Sequence, residues 1–228
     1  MPDLAQIGHT LSVWLLPVLF AITLHEAAHG WTADKLGDDT ARRLGRVTAN
    51  PLAHVDPFGT VVLPGVLVLL GSPFVFGWAK PVPVAFHRLH RPKRDMVLVA
   101  AAGPAANILM AVLAAWAMHF TDLPPARLGE WLHANFNNAV LANVFLAAFN
   151  LIPLPPLDGG RILTGLLPGF LAWRFARIER LGLLILLLAA VVVPLAAREL
   201  GYAFNPVLWV LMPIAEALFA LVLALGFW

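Results

Sequence analysis

Long apolar stretches alternate with short, basic connections along this 228-residue chain. Crossing the hydrocarbon core of a bilayer takes about 20 apolar residues in a helix. Spans are read near 9–34, 96–120, 136–153, 181–197 and 206–226. A sixth apolar stretch, Phe58 to Leu70, is about 13 residues long and carries Pro64-Gly65 in its middle. It is short for a span and holds a helix breaker, so it reads as a segment that dips in and returns. Residues 73–86 mix Val, Phe and Trp with Pro81 and Pro83, which forbid a helix. They suit either an ordinary loop or an extended edge strand near the membrane surface. There is no internal repeat, and the longest polar connection, 35–56, is too short for a soluble domain. The pattern predicts an all-α polytopic membrane protein with about five to six transmembrane helices, a short re-entrant segment and a small membrane-associated β element. It forms one domain over 1–228, with a core of about 9–163 and extra C-terminal helices in 164–228.

Composition agrees. The chain is 60% hydrophobic and 12% charged, with mean hydropathy +0.81, where soluble domains carry about 25% charged residues. The formal charge is only +2, so the pI near 9.5 reflects a small excess of bases and gives no reason to expect a nucleic-acid partner. The absence of cysteine excludes disulfides and restricts any metal site to His, Asp and Glu. The first apolar segment lacks a basic leader and carries polar chemistry of its own, so it reads as a retained span.

The distribution of the bases sets a topology. Four follow the first span (Lys35, Arg42, Arg43, Arg46), five follow the short stretch (Lys80, Arg88, Arg91, Lys93, Arg94), and four lie in 161–180 (Arg161, Arg174, Arg177, Arg180). If 57–72 returns to the side it left, these thirteen of the fifteen Lys and Arg share one face. The positive-inside rule makes that face cytoplasmic, with the N-terminus external and the C-terminus cytoplasmic. The expected location is the cell (inner or plasma) membrane.

The first span contains His25-Glu26-Ala27-Ala28-His29. Two imidazoles four residues apart fall on one helix face and can reach one zinc ion, with Glu26 beside them to accept a proton from water. The pattern fixes only three positions and occurs by chance in many proteins. Inside an apolar helix it is harder to dismiss, because each ionisable group there costs roughly 2.5–3.5 kcal/mol. Two His leave zinc short of protein ligands. The run Asn150-Leu151-Ile152-Pro153-Leu154-Pro155-Pro156-Leu157-Asp158-Gly159-Gly160 offers Asp158, which is either a third ligand or the start of the turn before Arg161. With a re-entrant 57–72, the His-bearing span and the span before Asp158 run in the same direction, which brings both motifs to the cytoplasmic face.

The pairing of HEAAH with NLIPLPPLDGG resembles the site-2 protease family of intramembrane zinc metalloproteases. GRVTANPLAHVDPFG (45–59), FGWAKPVPV (76–84) and AAGPAANI (101–108) are similar to its small bacterial branch, which lacks PDZ and CBS domains. The likeness covers about residues 20–163. It implies a single transmembrane metalloprotease domain with one Zn2+ per chain, bound by His25, His29 and Asp158, and Glu26 as the general base. It also implies cleavage of transmembrane segments of membrane proteins near the cytoplasmic face, with Asn150 holding the substrate backbone and 73–86 receiving substrate by strand addition. The competing reading is a non-enzymatic membrane zinc-binding protein, a transporter or sensor. A transporter would spread polar ligands along several spans, and a pure binding site has no use for Glu26.

Other polar residues have less definite roles. His54 is either an accessory group leaning over the site or a loop histidine at the headgroups. Asn107 either bridges toward the Asn150 region or bonds a neighbouring helix. Glu216 lies in the last span without an assigned role. His87 and His90 sit among bases that face anionic lipid.

Overall fold

The computed structural model describes residues 4–62, 65–66 and 80–226. The chain is an all-helical, multi-pass membrane protein. Its helices are α1 (Leu4–Lys35), α2 (Thr40–Arg43), α3 (Pro92–Met118), α4 (Ala126–Asn150), α5 (Asp158–Leu166), α6 (Gly169–Ala176), α7 (Glu179–Glu199, with a π-helical turn over Leu188–Val192) and α8 (Pro206–Leu225). Four of them, α1, α3, α7 and α8, are long and apolar enough to cross a membrane. The 136–153 stretch lies mostly in the second half of α4, which starts at Ala126 and carries Arg127, Glu130, His133 and five asparagines.

α1, α3 and α4 form the centre. Level by level, Ala21 and His25 of α1 meet Asn107 of α3, while His29 meets Val99, so these two helices are antiparallel. Ser12 and Val13 of α1 meet Trp131 and Asn138 of α4, and His29 meets Asp158 just beyond its end. α1 and α4 therefore run in the same direction. The connection between α1 and α3 leaves and returns at one end of the bundle, where His90 N–H donates to Leu36 O at 2.9 Å. The expected re-entrant segment 57–72 falls largely outside the described residues; Pro57–Val62 is a π-helical turn. Among the described residues none is in a strand. The part of 73–86 that is described, from Lys80, has no ladder partner.

Lipid is as apolar as leucine, so hydrophobicity does not press membrane helices together; small side chains and interhelical hydrogen bonds do. The interior follows this rule. Ala111, Ala114 and Ala115 of α3 pack against Val140, Val144 and Ala148 of α4 and against Leu211, Ala215 and Val222 of α8. Phe145 of α4 meets Phe219 of α8 edge to face. His119, just past α3, meets Gly226 O at 2.9 Å. α8 is thus antiparallel to α4, and its last turn lies at the end of the bundle away from His25 and Asp158. Charge counting, with 181–197 as a crossing, expects the C-terminus at the opposite end. The packing of α8 on α3 and α4 overrides that count, because α8 carries no base to bias it.

Candidate metal centre

His25 and His29 project from the last third of α1 toward α3. Gly103 faces them. A Cβ there would lie 2.4 Å from His29 Nε2 and 2.6 Å from His25 Cε1, so only glycine lets the two helices close at this level. One turn further along α3, Asn107 is fully buried. His25 Nδ1 donates to Asn107 Oδ1 at 2.6 Å. Asn107 Nδ2 donates in turn to Ala21 O and to Asn143 Oδ1. Asn143 Nδ2 donates to Ala139 O. This sequence fixes both amide orientations and places the proton of His25 on Nδ1. His29 Nδ1 donates to Val99 O at 2.7 Å, which fixes its tautomer in the same way.

Both Nε2 atoms are therefore left with bare lone pairs. They lie 3.1 Å from each other and 3.2 Å each from Asp158 Oδ2. Asp158 is the first residue of α5. The chain reaches it through the proline-rich turn after α4, where Gly159 and Gly160 press directly on the carbonyls of Leu151 and Ile152 and on Leu154-Pro155. The cap position of its helix is Leu157, and the Asp158 carboxylate faces the two imidazoles. Its Oδ2 is buried without a hydrogen-bond donor. Asp158 thus opens α5 with its backbone while its carboxylate faces His25 and His29.

Three electron-pair donors facing one another at this spacing repel unless a cation lies among them. Tetrahedral ligands at 2.0–2.1 Å stand about 3.3 Å apart, close to the observed triangle. The nitrogen–nitrogen–oxygen set fits Zn2+, and the Nδ1 partners are the outer contacts that orient ligating imidazoles. Among the described residues, this is the one cluster of at least three His or acidic side chains with metal-ligand spacing.

Glu26 is half-buried beside the triangle, and its Oε2 accepts the Val82 N–H at 2.7 Å. Val82 belongs to an extended strap, 80–85, in which the amides of Lys80, Val82 and Ala85 bond side chains or loops rather than a strand. Lys80 N–H donates to His54 O, and Ala85 N–H to Asp38 Oδ2; Pro81 and Pro83 have no N–H. Asp38 is fully buried. Burial raises its pKa, but the Thr40 hydroxyl, the Ala85 and Thr40 amides and Arg88 outweigh that and hold it below the ordinary carboxylate value.

The other expected residues are placed differently. His54 is 2% exposed, lies outside the ligand triangle, and donates from Nε2 to Thr48 O at 3.2 Å. Burial first, then nearby Arg46, push its pKa down. Asn107 bonds His25 and Asn143, not the Asn150 region. Asn150 donates from Nδ2 to Leu146 O of its own helix. Sequence reasoning missed Asn143, Val82 and Arg46; the row of asparagines on α4 was the available signal for Asn143.

Comparison with known proteins identifies the class. The sequence profile of peptidase family M50 matches residues 124–193, which include Asp158. The chain is 36% identical over 195 residues to the protein named "Putative zinc metalloprotease YwhC" of Bacillus subtilis (strain 168), covering 84% of this chain and 85% of that one. It is 33% identical over 143 residues to the Rip2 protein of Mycolicibacterium smegmatis, covering 62% of this chain and 52% of that protein. The Rip2 protein of Mycobacterium tuberculosis matches the same share at 32% identity. No solved structure matches. The chain belongs to peptidase family M50, in agreement with the resemblance carried by its motifs.

Proposed function

We propose that this protein is an intramembrane zinc metalloprotease that hydrolyses peptide bonds in transmembrane segments of membrane-protein substrates, close to the cytoplasmic face. The observation that carries the reading is the triangle of bare lone pairs on His25, His29 and Asp158, with the Glu26 carboxylate anchored beside it. The names of its curated relatives support zinc as the metal. His25 and His29 stand six to ten residues before the end of α1, roughly 9–15 Å along the helix. That end adjoins the basic connections, which the positive-inside rule assigns to the cytoplasm.

Zn2+ held by His25, His29 and Asp158 would supply Lewis acidity for the scissile carbonyl and the attacking water. The chain's own groups do the rest. Asn107, seconded by Asn143, keeps His25 in the ligating tautomer. Gly103 leaves space for both imidazoles. Glu26 accepts the proton of the attacking water and returns it to the departing amine. A substrate helix must unwind before its backbone reaches this centre, which favours segments with helix-breaking residues. We assign Asn150 and the 73–86 region to holding the unwound backbone, and 57–72 to a re-entrant segment over the site.

The test is zinc content together with cleavage of a synthetic transmembrane peptide. Glu26→Gln should keep one zinc per chain and lose about 10²–10⁴-fold in rate. Asp158→Asn should lose zinc. Full zinc in a folded Asp158→Asn variant removes that ligand, and parental cleavage by Glu26→Gln removes the base. A zinc-loaded parental protein that cleaves no membrane peptide would return the non-enzymatic binding alternative. Because the chain has no cysteine, Arg43→Cys and Arg91→Cys label cleanly, and both should react from the cytoplasmic side alone.

A further inference from the structure

Arg46 is a buried cation that the mechanism above does not use. It is 8% exposed, and it forms no ion pair among the described residues. Its Nη2 donates to Lys80 O at 2.6 Å and reaches Pro81 O at 3.5 Å. Burying a guanidinium is costly unless its donors are used on something specific, and a charged donor makes the stronger kind of hydrogen bond. Here Nη2 goes to two consecutive carbonyls of the strap whose next amide, Val82 N–H, holds Glu26, while Nε is buried without a partner.

The anchoring is continuous and begins and ends on α1. Asp34 of α1 pairs with Arg42 of α2 at 2.9 Å. Arg46 N–H donates to Ala41 O of α2, which fixes the backbone that carries the guanidinium. The guanidinium fixes Lys80 and Pro81. Lys80 N–H is held from the other side by His54 O at 2.9 Å. Pro81 and Pro83 restrict the strap to an extended path, so fixing 80–81 fixes the direction of the Val82 N–H. That amide closes the circuit on Glu26.

We propose that Arg46 is a positioning residue for Glu26: by clamping the 80–82 strap it holds the Val82 amide on Glu26 Oε2 and turns Oε1 toward the reacting water. This rests on the reading of Glu26 as the base. The strap is then a working part of the catalytic centre as well as a surface for substrate.

The experiment uses the full zinc-loaded chain in detergent, a synthetic transmembrane peptide with a helix-breaking segment, metal analysis, and hydrogen exchange of the strap. Few amides report there, because Pro81 and Pro83 have none. Arg46→Gln should lower kcat about tenfold to a hundredfold, the scale of an ångström-sized misplacement. KM should stay within about threefold, zinc should stay at one per chain, and Val82 exchange should rise. Arg46→Lys, which keeps the charge, should recover part of kcat and covers the case in which Arg46→Gln fails to fold. In Glu26→Ala, Val82 exchange should rise as well, a result that needs no cleavage. A rise in KM with kcat intact would mean that the strap serves docking alone. Loss of zinc along with kcat would place Arg46 in support of the metal site. Unchanged Val82 exchange in Glu26→Ala would break the link outright. If the parental protein binds zinc and cleaves nothing, the protease reading fails, and the exchange measurements alone decide whether Arg46 and Glu26 are connected.

Discussion

α4 and α8 lie side by side, and hydropathy ranks them in the wrong order of importance. α8 has a mean hydropathy of 2.3 over its best window and easily qualifies as a span. Only Leu211, Ala215 and Val222 of it are buried. α4 does not qualify, yet it buries Gly129, Asn135, Asn138, Val140, Asn143, Val144, Ala147 and Ala148. The reason is the solvent. In lipid, leucine gains nothing by turning inward, so large apolar side chains stay on the outside. Asparagine gains a partner and alanine permits close approach, so both turn inward. α4 is the helix that carries a structural load, binding α1 through Asn138 and α3 through Asn143. Its end delivers Asp158.

If burial and not hydropathy tracks function, substitutions on the polar interior should cost far more than those on the apolar exterior. The largest effect is expected from Gly103→Ala. Its methyl group would collide with the imidazoles of His25 and His29, so zinc content and cleavage should fall together to background in a protein that still inserts. Retention of zinc would show that α1 and α3 can separate at no cost, and the close packing claimed for the interior would fail.

Asn107→Leu comes next. It matches the volume but strands His25 Nδ1 and Asn143 Oδ1. Zinc affinity should drop about 10–100-fold, as for other outer contacts of metal ligands. Unfolding in detergent should occur with about 1–3 kcal/mol less stability. A competition titration with a zinc chelator measures the first, and chemical denaturation the second. Unchanged affinity would mean that the tautomer of His25 is set by something other than Asn107.

The smallest effect is expected from Leu223→Ala on the lipid face of α8, where the side chain is 45% exposed. Stability should shift by less than about 0.5 kcal/mol, and activity should not change. A loss comparable to that of Asn107→Leu would reveal a packing partner for α8 and erase the contrast between the two helices.

Much of the site was legible in the sequence. His25, Glu26 and His29 are local, and helical periodicity alone places them on adjoining faces. Asp158 was legible as a candidate because prolines and glycines in lipid demand a protein-lined cavity. Its choice between ligand and turn was not, since that depends on where α4 ends relative to α1. His54 and Asn150 were named from their motifs, which do not record the groups they bond, Thr48 O and Leu146 O. The direction of α8 was misjudged because charge counting says nothing of a helix without bases.

The sequence by itself determined that this chain lives in a membrane, that thirteen of its fifteen bases fall in three clusters, and that one helix carries two imidazoles and a carboxylate. Those properties follow from composition and a period of 3.6 residues, which any segment expresses alone. Only the tertiary structure decided that Asn107 and Asn143 orient His25, that Asp158 completes the triangle, and that Arg46 reaches Glu26 through the 80–82 strap. Each of these joins positions tens of residues apart, from Arg46 and Lys80 to His25 and Asp158. In lipid such contacts are chosen by which polar groups find each other, and no local pattern records that choice.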